Sequence, residues 1–299
     1  MKMNDIRKYK VAEHFFRLVV PDGFPLDGRV DNYAPFEIEN DTPCKLSFEA
    51  ELVKPFEVEK GECVYCDRIQ PDMPRIEIYR STTEWLVEVA PLADAETVGR
   101  FAASLDFSRV RFCVLDDREF DFVLNDVLML AFAFTTVGDG VMEMHASVVT
   151  HAGKGFLFLG TSGTGKSTHS RLWLEHIEDC SLLNDDNPIV AVGEDGEVRV
   201  YGSPWSGKTP CYKNESYPVG AFVSLRQSKE NRISEQSLLE AYASLFSSTS
   251  CLKCDSDFVD ALHETIETVV TQVPCYQLDC LPDRAAAILC AETVSDVNG

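Results

Sequence analysis

Residues 155–168 read GFLFLGTSGTGKST. The first half is an apolar run of strand length; the second is a turn of glycine, serine and threonine carrying one lysine. Gly160, Gly165, Lys166 and Ser167 complete the pattern G-x-x-x-x-G-K-[ST], placed after an apolar strand and before a helical segment, where the pattern has mechanical meaning. Glycines let successive backbone N–H groups curl inward toward anionic oxygens, and the helix N-terminus adds a favourable dipole. Gly160, Thr161, Ser162, Gly163, Thr164, Gly165, Lys166, Ser167 and Thr168 therefore form a candidate phosphate cradle, with Lys166 reaching the terminal phosphates and Ser167 offering its hydroxyl to Mg²⁺. The bland alternative is an ordinary capping turn, which accounts for the hydroxyls but not for the lysine or the strand before it.

Outward from this loop lie two flanking stretches. Upstream, MHASVVT (144–150) and GFLFLG (155–160) read as a hairpin whose second strand runs into the loop. Downstream, after one helical segment from Lys166 to about Glu178, LLNDDNPIV (182–190) brings Asp185 and Asp186 side by side at the end of an apolar strand. Adjacent side chains on a strand project to opposite faces, so one carboxylate can face a metal while its neighbour addresses something else. A solvated turn before Pro188 is the competing reading of the same residues.

The three blocks MHASVV, GFLFLGTSGTGKST and LLNDDNPIV together resemble the C-terminal catalytic domain of HPr kinase/phosphorylase, and the loop is similar to that of phosphoenolpyruvate carboxykinase, a structural relative. The likeness covers about residues 140–205, and the short distance from loop to aspartates is its most specific part. It implies a phosphoenolpyruvate carboxykinase-like P-loop fold, of α/β or α+β class, with a mixed sheet and flanking helices. By the same likeness His145 is the histidine that stands beside the catalytic aspartate, Asp185 the general base toward a hydroxyl, and Asp186 the metal-side ligand with Ser167. The implied activity is Mg²⁺-dependent transfer of the γ-phosphoryl of ATP to a hydroxyl of a protein or small molecule. A nucleotide-binding regulatory protein without turnover, and carboxykinase-type phosphoryl transfer, are the alternatives. The chain departs from the kinase pattern at Ala146, where a glycine is usual, and at Thr168, where a glutamate is.

The rest of the chain frames this block. FFRLVV (15–20), KLSFEAELV (45–53), RIEIYR (75–80), EWLVEVA (84–90) and RVRFCVL (109–115) read as strands and predict a β-rich N-terminal domain over residues 1–118. The catalytic domain is then expected over residues 119–299. It opens with a buried helix at 120–136, and GAFVSLRQ (220–227) and CYQLDC (275–280) follow as strands, with amphipathic helices over 236–246 and 257–270.

Forty-nine acidic against 27 basic residues give a net charge of −22, a surface that repels nucleic acid and anionic lipid. No nucleic-acid or membrane partner is expected. The longest apolar run, VLMLAFAF (127–134), falls short of the roughly 20 residues a bilayer requires. The N-terminus lacks the apolar segment of a secretory signal, and 11 cysteines suit reduced thiols, so a cytoplasmic location is expected. A homo-oligomer remains open. Among secondary features, Trp205 and Lys208 in SPWSGKTP offer a stacking ring and a cation, or simply a surface turn. Arg226 and Arg232 are candidate transition-state cations, solvated arginines being the commoner outcome. Cys63/Cys66 and Cys251/Cys254 form C-x-x-C pairs that raise the question of zinc. His169 and His176 are expected on the surface of the helix after the loop.

Overall fold

The computed structural model describes residues 4–66, 74–207 and 209–296. Lys208 lies outside them. The chain divides into two compact units, residues 1–136 and 137–299, each built on a nine-stranded mixed sheet.

The first unit contains β1 (Asp5–Val11), β2 (His14–Val20), β3 (Glu37–Ile38), β4 (Leu46–Leu52), β5 (Glu62–Cys66), β6 (Arg75–Arg80), β7 (Glu84–Ala90), β8 (Gly99–Ser104), β9 (Arg109–Val114) and one long helix, α1 (Phe120–Thr136). The strand order is β3-β1-β2-β4-β9-β8-β7-β6-β5, with β4 parallel to both neighbours and the remaining pairs antiparallel. Helix α1 is apolar on most sides because it packs on β4, β8 and β9. Gly99 makes that approach possible, since a Cβ there would stand 2.4 Å from a methyl of Val123. The helix therefore belongs to the N-terminal unit, and the division falls after Thr136 rather than near residue 118. The helical stretch Asp117–Asp139 is long and apolar enough to cross a bilayer, which the sequence reading did not credit; 67% of its most apolar window is buried inside the protein, as in a core helix.

The second unit contains β10 (Val141–Glu143), β11 (Ala146–His151), β12 (Lys154–Leu159), α2 (Lys166–His176), β13 (Ser181–Asp186), β14 (Ile189–Val192), β15 (Val198–Tyr201), β16 (Ser216–Gln227), β17 (Arg232–Glu235), α3 (Leu238–Ser248), α4 (Ser256–Gln272), β18 (Cys275–Cys280) and α5 (Arg284–Asp296). Its strand order runs β10-β14-β15-β16-β12-β11-β13, and β18 pairs parallel with β16 on the side away from β12, with β17 beyond it.

The apolar run that opens the loop motif explains the layering. Along β12 the side chains alternate: Leu157 and Leu159 enter one core with Ala241, Leu245, Leu262 and Ile266 of α3 and α4. Phe156 and Phe158 enter another with Trp173 of α2 and Ala287, Cys290 and Val294 of α5. A strand covered on both faces needs apolar residues at every position, so GFLFL shows no polar alternation. The result is a sheet between two helical layers, with β12 near its centre.

Candidate functional site

Strand directions bring the loop and the carboxylates together. Leu159 at the end of β12 is in register with Ala146 at the start of β11, and Ala146 is in register with Asp186 at the end of β13. Because both pairings are antiparallel, the loop after β12, His145 just before β11, and Asp185–Asp186 all fall at one end of the sheet. This is the convergence the motif spacing led us to expect.

The loop itself turns on three glycines at positive φ: Gly160 (148°), Gly163 (78°) and Gly165 (116°). Thr164 closes the turn by donating its backbone N–H to the Thr161 carbonyl, and the two threonine hydroxyls sit 2.9 Å apart. A Cβ at Gly160 would meet Thr164 at 3.0 Å, so this position needs glycine for space as well as for its dihedral. Thr161, Ser162 and Gly163 are exposed, as is Ser167 in the first turn of α2. Gln227, at the end of β16, donates its side-chain amide to the carbonyls of Gly163 (3.2 Å) and Thr164 (3.4 Å), tying the loop to the neighbouring parallel strand. Sequence reasoning missed this residue, because nothing local marks a glutamine whose partner is a distant loop.

Lys166 is buried at 9% exposure, and its ammonium donates to the Gly160 carbonyl (2.8 Å) and to His145 Nε2 (3.0 Å). Burial lowers its pKa, while the charges of Asp186 and Asp185 pull it back up. His145 Nε2 also lies 3.4 Å from Asp186 Oδ1. One nitrogen cannot accept from Lys166 and donate to Asp186 at once; burial and the lysine charge lower the histidine pKa against the opposing pull of Asp186, favouring the neutral imidazole that accepts.

The carboxylates owe their aim to a bulge. Leu182 pairs with Val149 and Asn184 with Val148, leaving Leu183 as an extra residue in β13. Simple alternation from Leu183, which lies in the α3/α4 core, would send Asp185 to that same face. The extra residue resets the count. Asp185 now pairs with Ser147, whose hydroxyl bonds Ser170 of α2 at 2.6 Å, and so takes the α2 face, while Asp186 takes the other. Asp185 is buried at 5% exposure. Its carbonyl accepts from the Gly207 N–H (2.6 Å) and the Ser206 hydroxyl (3.3 Å). Asn184 braces the same turn, donating to Ser203 Oγ and the Trp205 carbonyl.

Asp186 has φ = 147°, where glycine sits freely and a side chain enters only under strain. Asp186→Gly and Asp186→Ala both delete the carboxylate, so comparing them isolates the backbone. The glycine variant is expected to be more stable than the alanine variant by about 1 kcal/mol in urea unfolding. Equal stabilities would show that the position carries no strain.

Glu143, at the end of β10, is 1% exposed, and among the described residues neither carboxylate oxygen has a hydrogen-bond partner of good geometry. Burial pushes its pKa from 4.5 up to about 7, with Ser250 opposing and the Asp186 charge adding. The folded state therefore holds a proton that the unfolded chain releases, and stability falls as pH rises from about 4.5 to 7. Glu143→Gln should remove that slope and, at pH 8, raise unfolding free energy by on the order of 1–3 kcal/mol. An unchanged pH–stability profile would show that Glu143 is not protonated when folded.

Other expectations meet different fates. His169 is not a surface residue: it is 3% exposed, its Nε2 accepts from the Trp173 indole at 3.2 Å, and burial lowers its pKa to about 4. His176 is exposed. Trp205 is 3% exposed, so its ring is not a stacking platform. The Arg226 guanidinium is committed to Asp279 through two 2.6 Å bonds, and Arg232 is exposed opposite Asp279 on β17. Among the described residues no cysteine forms a disulfide. Burial raises the Cys251 thiol to about 11. Among the described residues no group of three or more His, Cys, Asp and Glu side chains is arranged to hold a metal ion.

Compared with known proteins, the sequence matches no family model, and no curated protein is significantly similar to it.

Proposed function

We propose that the chain is an ATP- and Mg²⁺-dependent phosphotransferase of the HPr kinase/phosphorylase type, acting in the cytoplasm on a hydroxyl of a protein or small molecule. What supports this reading above all is the meeting, at one sheet end, of the glycine-rich turn, the buried Lys166 and the Asp185–Asp186 pair, with His145 within 3.0 Å of the lysine and 3.4 Å of Asp186.

In this reading 160–168 is a P-loop, and its backbone N–H groups hold the phosphates. Mg²⁺ prefers hard oxygen donors and takes few from protein, which suits the exposed Ser167 hydroxyl and the Asp186 carboxylate. When bound, the ion neutralises charge on the phosphates. Asp185 accepts the proton of the acceptor hydroxyl as its oxygen bonds to the γ-phosphorus. The bond from that phosphorus to the β,γ-bridging oxygen breaks, and ADP leaves with the electron pair. Lys166 stabilises charge on the departing and transferring oxygens, and neutral His145 holds the lysine in place. The chemistry needs positioning and electrostatics more than covalent participation, and these residues supply both.

The test is to incubate the protein with Mg²⁺, γ-labelled ATP and a lysate of the source organism. Label is expected on one predominant hydroxyl-bearing acceptor. Label released only as inorganic phosphate, or none consumed, would overturn the assignment.

A further inference from the structure

One buried side chain encloses both aspartates. Asn184 Oδ1 accepts the backbone N–H of Asn187 at 3.0 Å, closing a ring around Asp185 and Asp186. The other end of the same amide reaches away from the doublet, where Nδ2 donates to Ser203 Oγ (3.1 Å) and to the Trp205 carbonyl (3.0 Å). Ser203 carries the link back: its hydroxyl donates to the Asn187 carbonyl at 2.6 Å and accepts from Asn184 and from the Trp205 N–H (3.2 Å). Asn184 and Ser203 are both 0% exposed.

A buried amide satisfied in this way fixes its surroundings, because turning it would leave polar groups unpaired away from water. Both of its constraints reach the carboxylates. Ring closure holds the Asp186 backbone at φ = 147°, a dihedral that a residue with a side chain adopts only under restraint. The tether to Ser203 and Trp205 brings up Ser206 and Gly207, which hold the Asp185 carbonyl. That approach is close: a Cβ at Gly207 would stand 3.1 Å from the Asp185 carbonyl oxygen and 3.2 Å from Asp186 Cβ. Asn187, at the end of the ring, donates its own side-chain amide to Asp186 Oδ2 at 3.2 Å.

We propose that Asn184 is a positioning residue for phosphoryl transfer: it holds the strained backbone at Asp186 and sets the orientation of the two carboxylates, acting through them and not on the substrate. The proposal rests on the reading of Asp185 as the base and Asp186 as the metal-side residue. In the sequence the asparagine reads only as one more turn-forming residue of NDDNP, and its partners at 203 and 205 lie a strand pair away.

The first test needs no activity. In the wild-type background, urea unfolding is expected to give Asp186→Gly an unfolding constant about fivefold lower than that of Asp186→Ala. In Asn184→Ala the ring opens and the backbone relaxes, so the same ratio is expected to fall to about one. The second test is kinetic. Asn184→Ala is expected to lower turnover on the labelled acceptor about a hundredfold, as a displacement of a reacting group by about 1 Å does, while ATP affinity by calorimetry changes less than about threefold. Added to Asp185→Asn, it is expected to lower turnover less than about threefold further, whereas a general loss of structure would multiply in full. Either a ratio that stays near fivefold in Asn184→Ala, or a folded Asn184→Ala with turnover within about threefold of wild type, would overturn the proposal. Should Asn184→Ala not fold, Ser203→Ala keeps the ring and removes part of the tether; a fall in turnover of about tenfold with ATP affinity kept is then expected, and unchanged turnover would overturn the proposal. A wild type that binds ATP but transfers no label overturns the phosphotransferase reading and the positioning role with it, an outcome distinct from an active wild type and an indifferent variant.

Discussion

Lys166→Ala is expected to lower ATP-dependent phosphoryl transfer by roughly two to three orders of magnitude or more, the cost of removing one preorganised charge-stabilising donor. The ammonium is already fixed before any ligand enters: it bonds the Gly160 carbonyl at 2.8 Å and His145 Nε2 at 3.0 Å. Preorganisation of this kind is what makes a single donor valuable, because nothing must reorient while charge develops. Burial lowers the lysine pKa, with Asp186 and Asp185 opposing, so the same two carboxylates that frame the site help to keep the cation charged. Steady-state rates on the labelled acceptor measure the effect, with circular dichroism confirming the fold. Activity within a few-fold of wild type would remove the loop from the mechanism.

Asp185→Asn separates an enzyme from a protein that only holds nucleotide. The substitution keeps volume and shape at a position that is 5% exposed and braced by Gly207 and Ser206 through its backbone carbonyl, so the fold should not notice it. What it removes is the proposed proton acceptor. A general base contributes about 10²–10⁴-fold, and turnover is expected to fall by that amount while ATP affinity changes less than about twofold. An unaltered rate would take proton abstraction away from Asp185. The partition between rate and affinity carries the information, since a carboxylate that mattered only for binding would show the reverse.

Much of the architecture around the loop was legible because its signals are local. GFLFL is apolar at every position for the physical reason that two helical layers cover it, and the glycines of the loop are read directly from their spacing. The strands RIEIYR and EWLVEVA and the helix at 120–136 have the bounds read from the sequence. Other features left no such trace. The strand DIRKYKV breaks its charged–apolar alternation at Arg7–Lys8, and Lys8 is buried only because its ammonium finds the Asn40 and Thr42 carbonyls. The closing helix RAAAILCAETVSD is rich in alanine, whose weak hydrophobicity blurs the helical period, though Ala287, Cys290 and Val294 pack against Trp173. His169 reads as polar until Trp173, one turn further on, supplies its partner. The placement of α1 with the first sheet depends on Gly99, far from it in sequence.

The additional residue in β13 sets a different kind of limit on this protein. Were the bulge closed by a one-residue slip, with Leu183 in place of Asn184 opposite Val148, every acidic and basic group named above would still be present in the chain, yet Asp185 would fall opposite Ala146 and turn to the other layer. Tolerance at this end of the sheet is thus governed by strand register more than by residue identity. A relative with a slipped strand could look intact in any residue-by-residue tally while its chemistry had been turned inside out.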